Sequence, residues 1–382
     1  MIIYHKQDLD HTLLQEEVQA AYKKGCVTKE EYLQILQQYP SRLYTPNPFI
    51  RIGLFVLTAL VALFSFGLFA LLFSSGLTGE EALGGFCLFF SLVTYGGLEA
   101  FVRAKYHYRS GVDDALAWCA AGLALTGAVL VSGLDMDTVV FCALAAALGL
   151  FFALRFLNVL MGLAAFAGLI GVVFFALVYT APDALPFAVM ALSLGVYLGA
   201  RRYGTSPYYG NMLQLLQVAA LAMLYVVGNY FVVKETRNEL FGTAAGAMPA
   251  GWLFWLLTVL MPVIYIYLGI RKKDKVLLRT GLVLIAAVVF TIRYYYSVLP
   301  LETAMAMGGA AMMLLAYALL RYLAVPKHGF SSEVTDEAET LKGLQIAESL
   351  VIAQTFKEVP QPGGGFEFGG GTSSGGGAGA EY

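Results

Sequence analysis

The sequence predicts an all-α, polytopic membrane helix bundle of about ten transmembrane helices, preceded by a small cytoplasmic helical hairpin and followed by a disordered Gly-rich C-terminal tail. Three observations predict it. Long apolar runs recur along the chain, each near the roughly 20 residues that a helix needs to cross a hydrocarbon core at about 1.5 Å per residue. Of 382 residues, 59% are hydrophobic and 13% charged, with a mean hydropathy of +0.70. That leaves too little polar surface to cover a soluble globule of this size. The loops between the runs, finally, alternate in charge along the chain.

Residues 1–50 read as the hairpin. Leu14, Val18, Ala21 and Tyr22 share one helical face, Gly25 ends the helix, and Thr28 with Glu31 spells a capping box for a second helix that Pro40 stops. Tyr32, Ile35, Leu36 and Tyr39 form its apolar face. Thirty-odd residues bury too little core to fold alone. The hairpin therefore packs on the bundle ends or lipid headgroups, or docks a partner. The polar start, of mixed charge, predicts no cleavable signal peptide, so the first apolar run serves as its own insertion signal.

The bundle, 51–324, contains predicted spans at 51–73, 82–102, 114–133, 138–155, 158–180, 184–200, 211–233, 251–270, 276–298 and 302–323. One set of connections is basic: Arg103, Lys105 and Arg109; Arg155; Arg201 and Arg202; Arg271, Lys272, Lys273 and Lys275; Arg321 and Lys327. The alternate set carries Glu80 and Glu81, Asp135 and Asp137, Asp183, a mixed Lys234, Glu235, Arg237, Glu239 loop, and the turn from Arg293 to Glu302, which are expected to pair. The positive-inside rule puts the first set in the cytoplasm, and an even number of spans then puts both termini there.

After the bundle, residues 325–359 predict a cytoplasmic amphipathic helix starting at Ser331 and Ser332, with Leu341, Leu344, Ala347, Leu350 and Val351 as its apolar stripe. Residues 360–382 are Gly-rich and too poor in apolar side chains for a core. The tail is a solvated terminus, or else Phe366, Phe368 and Tyr382 with the terminal carboxylate are captured by a partner.

The phrase "GCVTKEEYLQILQQYP" running into "PNPFIRIGLFVLTALVALF" resembles the start of the bacterial membrane proteins grouped under the domain DUF2157, which begin with a similar hairpin before many spans. The tail is similar to Gly-rich endings of other bacterial membrane proteins. The resemblance implies a multi-pass protein of the bacterial inner membrane and brings no activity or site residues.

The densest polar constellation is "GGLEAFVRAKYHYRSGVDDALAW". Glu99 stands one helical turn from Arg103, and His107, Arg109, Asp113 and Asp114 crowd the turn into the third span, both Asp residues where the helix dipole favours negative charge. The cluster is a capped interfacial turn, or a cytoplasmic gate or proton site using Glu99 and His107. A related phrase, "GVYLGARRYGTSPYYGNMLQLLQ", suggests parallel repeats four helices apart. Pro262 frees the carbonyl of Thr258, and Gly308 and Gly309 interrupt the tenth span at a comparable depth. These four form a candidate midplane solute site, against a plain reading as kinks and close-packing positions. The middle third of the spans carries no ionisable residue, which weighs against an ion-driven pump.

No HExxH, GxSxG or Walker A phrase occurs, the four His are scattered and the four Cys lack CxxC spacing. No catalytic residue, cofactor or metal is expected, and an interfacial lipid enzyme using His107 with Asp113 is the weakest class. A net charge of −2 with dispersed basic residues gives no case for nucleic acid. The expected function is a sensor or scaffold that recruits partners through residues 1–45 and 330–382. The alternative is a transporter for a neutral or amphipathic solute.

Overall fold

The computed structural model describes residues 2–133, 135, 138–204, 206–242, 250–296 and 301–322. They form thirteen helices: α1 (Lys6–Lys23), α2 (Lys29–Gln38), α3 (Pro48–Leu72), α4 (Glu80–Lys105), α5 (Val112–Ser132), α6 (Val139–Phe156), α7 (Val159–Leu177), α8 (Leu185–Arg202), α9 (Gly210–Gly228), α10 (Tyr230–Phe241), α11 (Gly251–Lys272), α12 (Lys275–Tyr296) and α13 (Leu301–Tyr322). Seven of them, α3 to α7, α9 and α11, are long and apolar enough to cross a bilayer. The chain is a multi-pass membrane protein. The other predicted spans, 184–200, 276–298 and 302–323, are also helical, as α8, α12 and α13.

The described residues up to 312 form one compact unit, and those from 313 to 322 fall in a second. The predicted amphipathic helix at 325–359 and the tail at 360–382 lie outside the described residues, and so do the side chains of Arg293 and Glu302.

The helices pair as hairpins: α4 with α5, α6 with α7, α8 with α9, α11 with α12. Small residues let the pairs close. A Cβ on Gly149 would sit 2.8 Å from the Ala165 nitrogen, and one on Gly168 2.7 Å from the Ala146 nitrogen, so α6 and α7 meet backbone to backbone at both levels. α3 buries none of its residues. Its Phe49, Ile52, Phe64 and Leu71 are all more than half exposed, a surface that acyl chains cover and water would not tolerate.

The two quartets that the sequence suggests as repeats, α4 to α7 and α8 to α12 without α10, are each two such hairpins. The tightest turns follow one recipe. Arg155 ends α6, Leu157 takes a left-handed φ of 55°, and Asn158 caps α7 by accepting from the Met161 nitrogen at 2.9 Å. Likewise Arg271 and Lys272 end α11, Lys273 has φ 54°, and Asp274 accepts from the Val276 nitrogen at 3.0 Å. A left-handed residue followed by a short polar cap reverses the chain within two residues.

The seventh predicted span, 211–233, needs correction. The helix stops at Gly228, and the Asn229 side chain accepts from the Phe231 nitrogen at 2.9 Å to start α10, which takes in the mixed-charge stretch read as a loop. The interruption is stable because the Thr258 hydroxyl accepts from the freed Tyr230 nitrogen at 2.9 Å.

The N-terminal hairpin has the predicted capping box: the Glu31 nitrogen donates to Thr28 at 3.3 Å and the Thr28 nitrogen to the Glu31 carboxylate at 2.9 Å. α1 ends at Lys23, and Gly25 follows with φ 72°. The hairpin packs on the bundle. Tyr4 and Leu9 are buried in one apolar core with Leu98, Val102, Phe156 and Met212. A second core gathers Phe166, Leu221, Tyr225, Met261 and Tyr265.

Candidate functional site

The turns α4–α5, α6–α7, α8–α9 and α11–α12 meet at one end of the bundle, and the predicted polar cluster lies there. Asn158 donates to Asp114 at 2.7 Å, Tyr209 to the Leu154 carbonyl at 2.9 Å, and Arg201 pairs with Asp274 at 3.5 Å, so each turn is tied to another.

Glu99 and Arg103 form the expected pair one helical turn apart, at 3.3 Å. Glu99 also accepts from the Tyr95 hydroxyl at 2.6 Å and from Arg155, whose Nε stands 3.1 Å away. Arg155 is a partner that spacing does not suggest.

The adjacent Asp113 and Asp114 take different partners. Asp113, 4% exposed, accepts through Oδ1 from the Ser110 nitrogen at 2.9 Å, the Ser110 hydroxyl at 3.0 Å and the Gly111 nitrogen at 3.1 Å, which pins the turn leading into α5. The Tyr4 hydroxyl approaches its other oxygen at 3.4 Å. Asp114 is held by Arg51 at 2.6 Å and by Asn158. Arg109 pairs with Glu16 of α1 at 3.7 Å and covers the Tyr108 ring at 5.0 Å.

His107 bonds the Ser110 hydroxyl through Nδ1 at 2.9 Å, and its ring meets Tyr44 edge-on at 5.2 Å. Burial holds the imidazole below its ordinary pKa, with Asp113 pulling the other way. Burial, reinforced by Asp113, raises the Tyr4 phenol well above its usual range, so Tyr4 is a neutral donor. Glu99 and His107 therefore keep separate partners. In the chain His107–Ser110–Asp113 the hydroxyl stands in the middle and Ser110 is fully buried, an arrangement that braces a turn and offers no accessible nucleophile.

The N-terminal segment completes this end. The Ile3 nitrogen donates to the Arg155 carbonyl at 3.1 Å, the Tyr44 nitrogen to the Tyr106 carbonyl at 2.9 Å, and the Tyr208 hydroxyl to Asp10 at 2.7 Å. A polar cavity of about 150 Å³ remains among Arg51, Arg109, Asp113, Asp114, Asn158 and Asn211.

The four midplane candidates fare differently. Thr258 and Pro262 are fully buried; the Thr258 hydroxyl donates to the Phe254 carbonyl at 2.7 Å while accepting from Tyr230. Thr258 thus serves the α9–α10 break. A Cβ on Gly309 would meet nothing within 4 Å, and the surroundings of Gly308 lie outside the described residues.

A larger cavity, about 390 Å³, lies near the other end of the bundle, and sequence reading missed it. Ile170, Val189, Val226, Leu240 and Phe254, from α7 to α11 in turn, make its wall mainly hydrocarbon, with Asp183, Thr236 and Arg237 supplying polar atoms. At its edge Arg237 of α10 pairs with Asp183 at 2.9 Å, and the Arg237 Nε is buried with no partner. The available signal was in α10 itself: Val232, Val233, Thr236, Arg237, Leu240 and Phe241 recur at helical spacing and all face the cavity.

Among the described residues no group of His, Cys, Asp and Glu is placed to hold a metal ion. No protein-family model matches this chain, and no curated protein or solved structure matches it either.

Proposed function

We propose that the protein is a sensor or scaffold of the bacterial inner membrane, spanning it about ten times with both termini cytoplasmic, and without enzymatic activity. The observation that carries this reading is the asymmetry of the N-terminal hairpin. α1 is fastened to the bundle through Leu9, while α2 buries no residue and leaves Leu33 47% exposed. One helix anchors and the other is free to be read by a partner. The likeness of this hairpin to the DUF2157 proteins belongs to the same proposal, as does recruitment through 330–382.

Reporter fusions after residues 110, 205 and 274 should report cytoplasm, and those near 79, 136 and 240 the opposite side; a periplasmic signal at 274 overturns the orientation. Removing residues 1–45 would also strip Tyr4 and Tyr44 from the bundle, so the cleaner test is Leu33→Asp. That change should remove co-purifying partners while leaving thermal unfolding unchanged. Partners retained by the variant would refute the α2 surface.

The second reading, transport of a neutral or amphipathic solute, draws on the apolar cavity beside Phe254, one helical turn from Thr258. A solute that stabilises the full chain and no longer does so after Pro262→Ala would favour it over the scaffold.

A further inference from the structure

We infer that the cavity under α10 binds a membrane-derived amphiphile: a single long acyl chain whose head carries a carboxylate or phosphate oxygen that accepts a hydrogen bond from Arg237. The inference stands apart from the α2 surface, because the two lie on different elements and neither needs the other.

Three features of the cavity carry it. Its volume of about 390 Å³ falls in the range of built ligand pockets, about 300–1,000 Å³. Its wall is apolar from five helices, so it selects against hydrated solutes and for hydrocarbon. The one cation among its described lining residues, Arg237, is incompletely satisfied. The guanidinium offers five donors in a planar fork, one of which holds Asp183 through Nη1, while Nε is shut away from solvent without an acceptor. A buried donor left unpaired is costly; Nε is closed to the cavity while the fork is held by Asp183, and an oxygen-bearing head that draws the guanidinium off Asp183 would turn that donor outward and remove the cost.

The covering helix is built to admit such a ligand. α10 turns its apolar stripe inward and carries Lys234, Glu235, Asn238 and Glu239 on the remaining face. It is joined to α9 at Asn229, where side chains satisfy the interrupted backbone. α10 can therefore shift about that point without stranding main-chain groups in hydrocarbon. A chain entering from the bilayer needs no aqueous path. Asp183, 60% exposed, is the partner from which an incoming anionic head would take the fork.

The test uses fluorescence of the full-length protein in detergent. Trp255 packs on the α10 residue Phe231 with ring centroids 5.8 Å apart, so in a Trp118→Phe, Trp252→Phe background it is the reporter for this cavity. Titrated dibromostearate should quench it saturably. Arg237→Met should weaken the apparent affinity by about ten- to hundredfold, the loss of one charge-assisted hydrogen bond, and Arg237→Lys by less. Val189→Phe, which fills the cavity, should abolish saturable quenching; if it fails to fold, Val233→Phe reads the same. The brominated monoacyl phosphatidylglycerol tests a phospholipid source against a free fatty acid, and the tighter probe names it. Equal quenching in the parent and the filled variant would mean contact with the micelle alone and would overturn the site. Equal affinity for dibromostearate and its methyl ester would overturn the role of Arg237.

Discussion

Replacing Asp113 by alanine should unfasten the α4–α5 turn. Asp113 is 4% exposed and its Oδ1 collects donors from the Ser110 nitrogen, the Ser110 hydroxyl and the Gly111 nitrogen within 3.1 Å. The Ser110 hydroxyl keeps His107 as a partner after the substitution, whereas the two main-chain donors lose theirs. Each buried donor left unsatisfied costs about 1–3 kcal/mol. The adjoining cavity of about 150 Å³ admits water to the gap, which favours the lower half of the summed range, about 2–4 kcal/mol. At roughly 2 °C per kcal/mol for a chain of this length, the apparent Tm should fall by about 4–8 °C. A thiol-reactive dye suits the measurement, because Cys87 and Cys142 are buried, Cys119 is half-buried and Cys26 is exposed, so a Cys26→Ser, Cys119→Ser background reports unfolding of the bundle. All variants are compared at one scan rate. Asp113→Asn keeps an acceptor in place and should cost less than half as much. The reasoning is refuted if the alanine variant unfolds within about 1 °C of its parent, or if the asparagine variant falls as far as alanine.

Gly111→Ala should be among the most damaging single changes in this region: φ is 90° and the new Cβ would lie 2.1 Å from the Arg51 carbonyl oxygen, which together cost about 2–6 kcal/mol in the same unfolding assay. Asn158→Ala removes both the α7 cap and a donor to Asp114, and should cost about 1–3 kcal/mol, read again as a drop in Tm. The His107 imidazole is depressed by burial, so the folded state resists protonation. Stability should be level above the ordinary histidine pKa of about 6.5 and fall as pH drops below it, and His107→Gln should flatten that slope between about pH 7 and 5. A slope unchanged by the substitution would assign the acid sensitivity to other groups.

Much of the bundle is legible in the sequence because lipid enforces local rules. A helix that must satisfy every main-chain group within itself announces its length in hydrocarbon, and α3, α6 and α7 begin and end within a few residues of the apolar runs. The Thr28 and Glu31 box reads equally well, since both partners lie within one turn. The Glu99 and Arg103 pair reads for the same reason. What distance along the chain hides is the rest of the network. Arg155 reaches Glu99 across 56 residues and Tyr4 approaches Asp113 across 109, and no periodicity links such positions. The break at Asn229 is masked because Tyr230 to Val233 carry the apolar run on past Gly228 and Asn229, the one pair that marks it. The compensating acceptor, Thr258, sits on another helix. The cavity that follows from that break needed five helices to be seen together.

The docking of the N-terminal segment onto the turns sets an order of assembly. Asp10 is bonded by Tyr208, which follows it by 198 residues. At about 5–20 residues per second of synthesis, the first helix waits roughly 10–40 s after emerging before its last anchor exists. During that interval Leu9 and Tyr4 lack the complete core that buries them in the finished bundle. The segment made first is thus fastened last, as a clasp over finished hairpins.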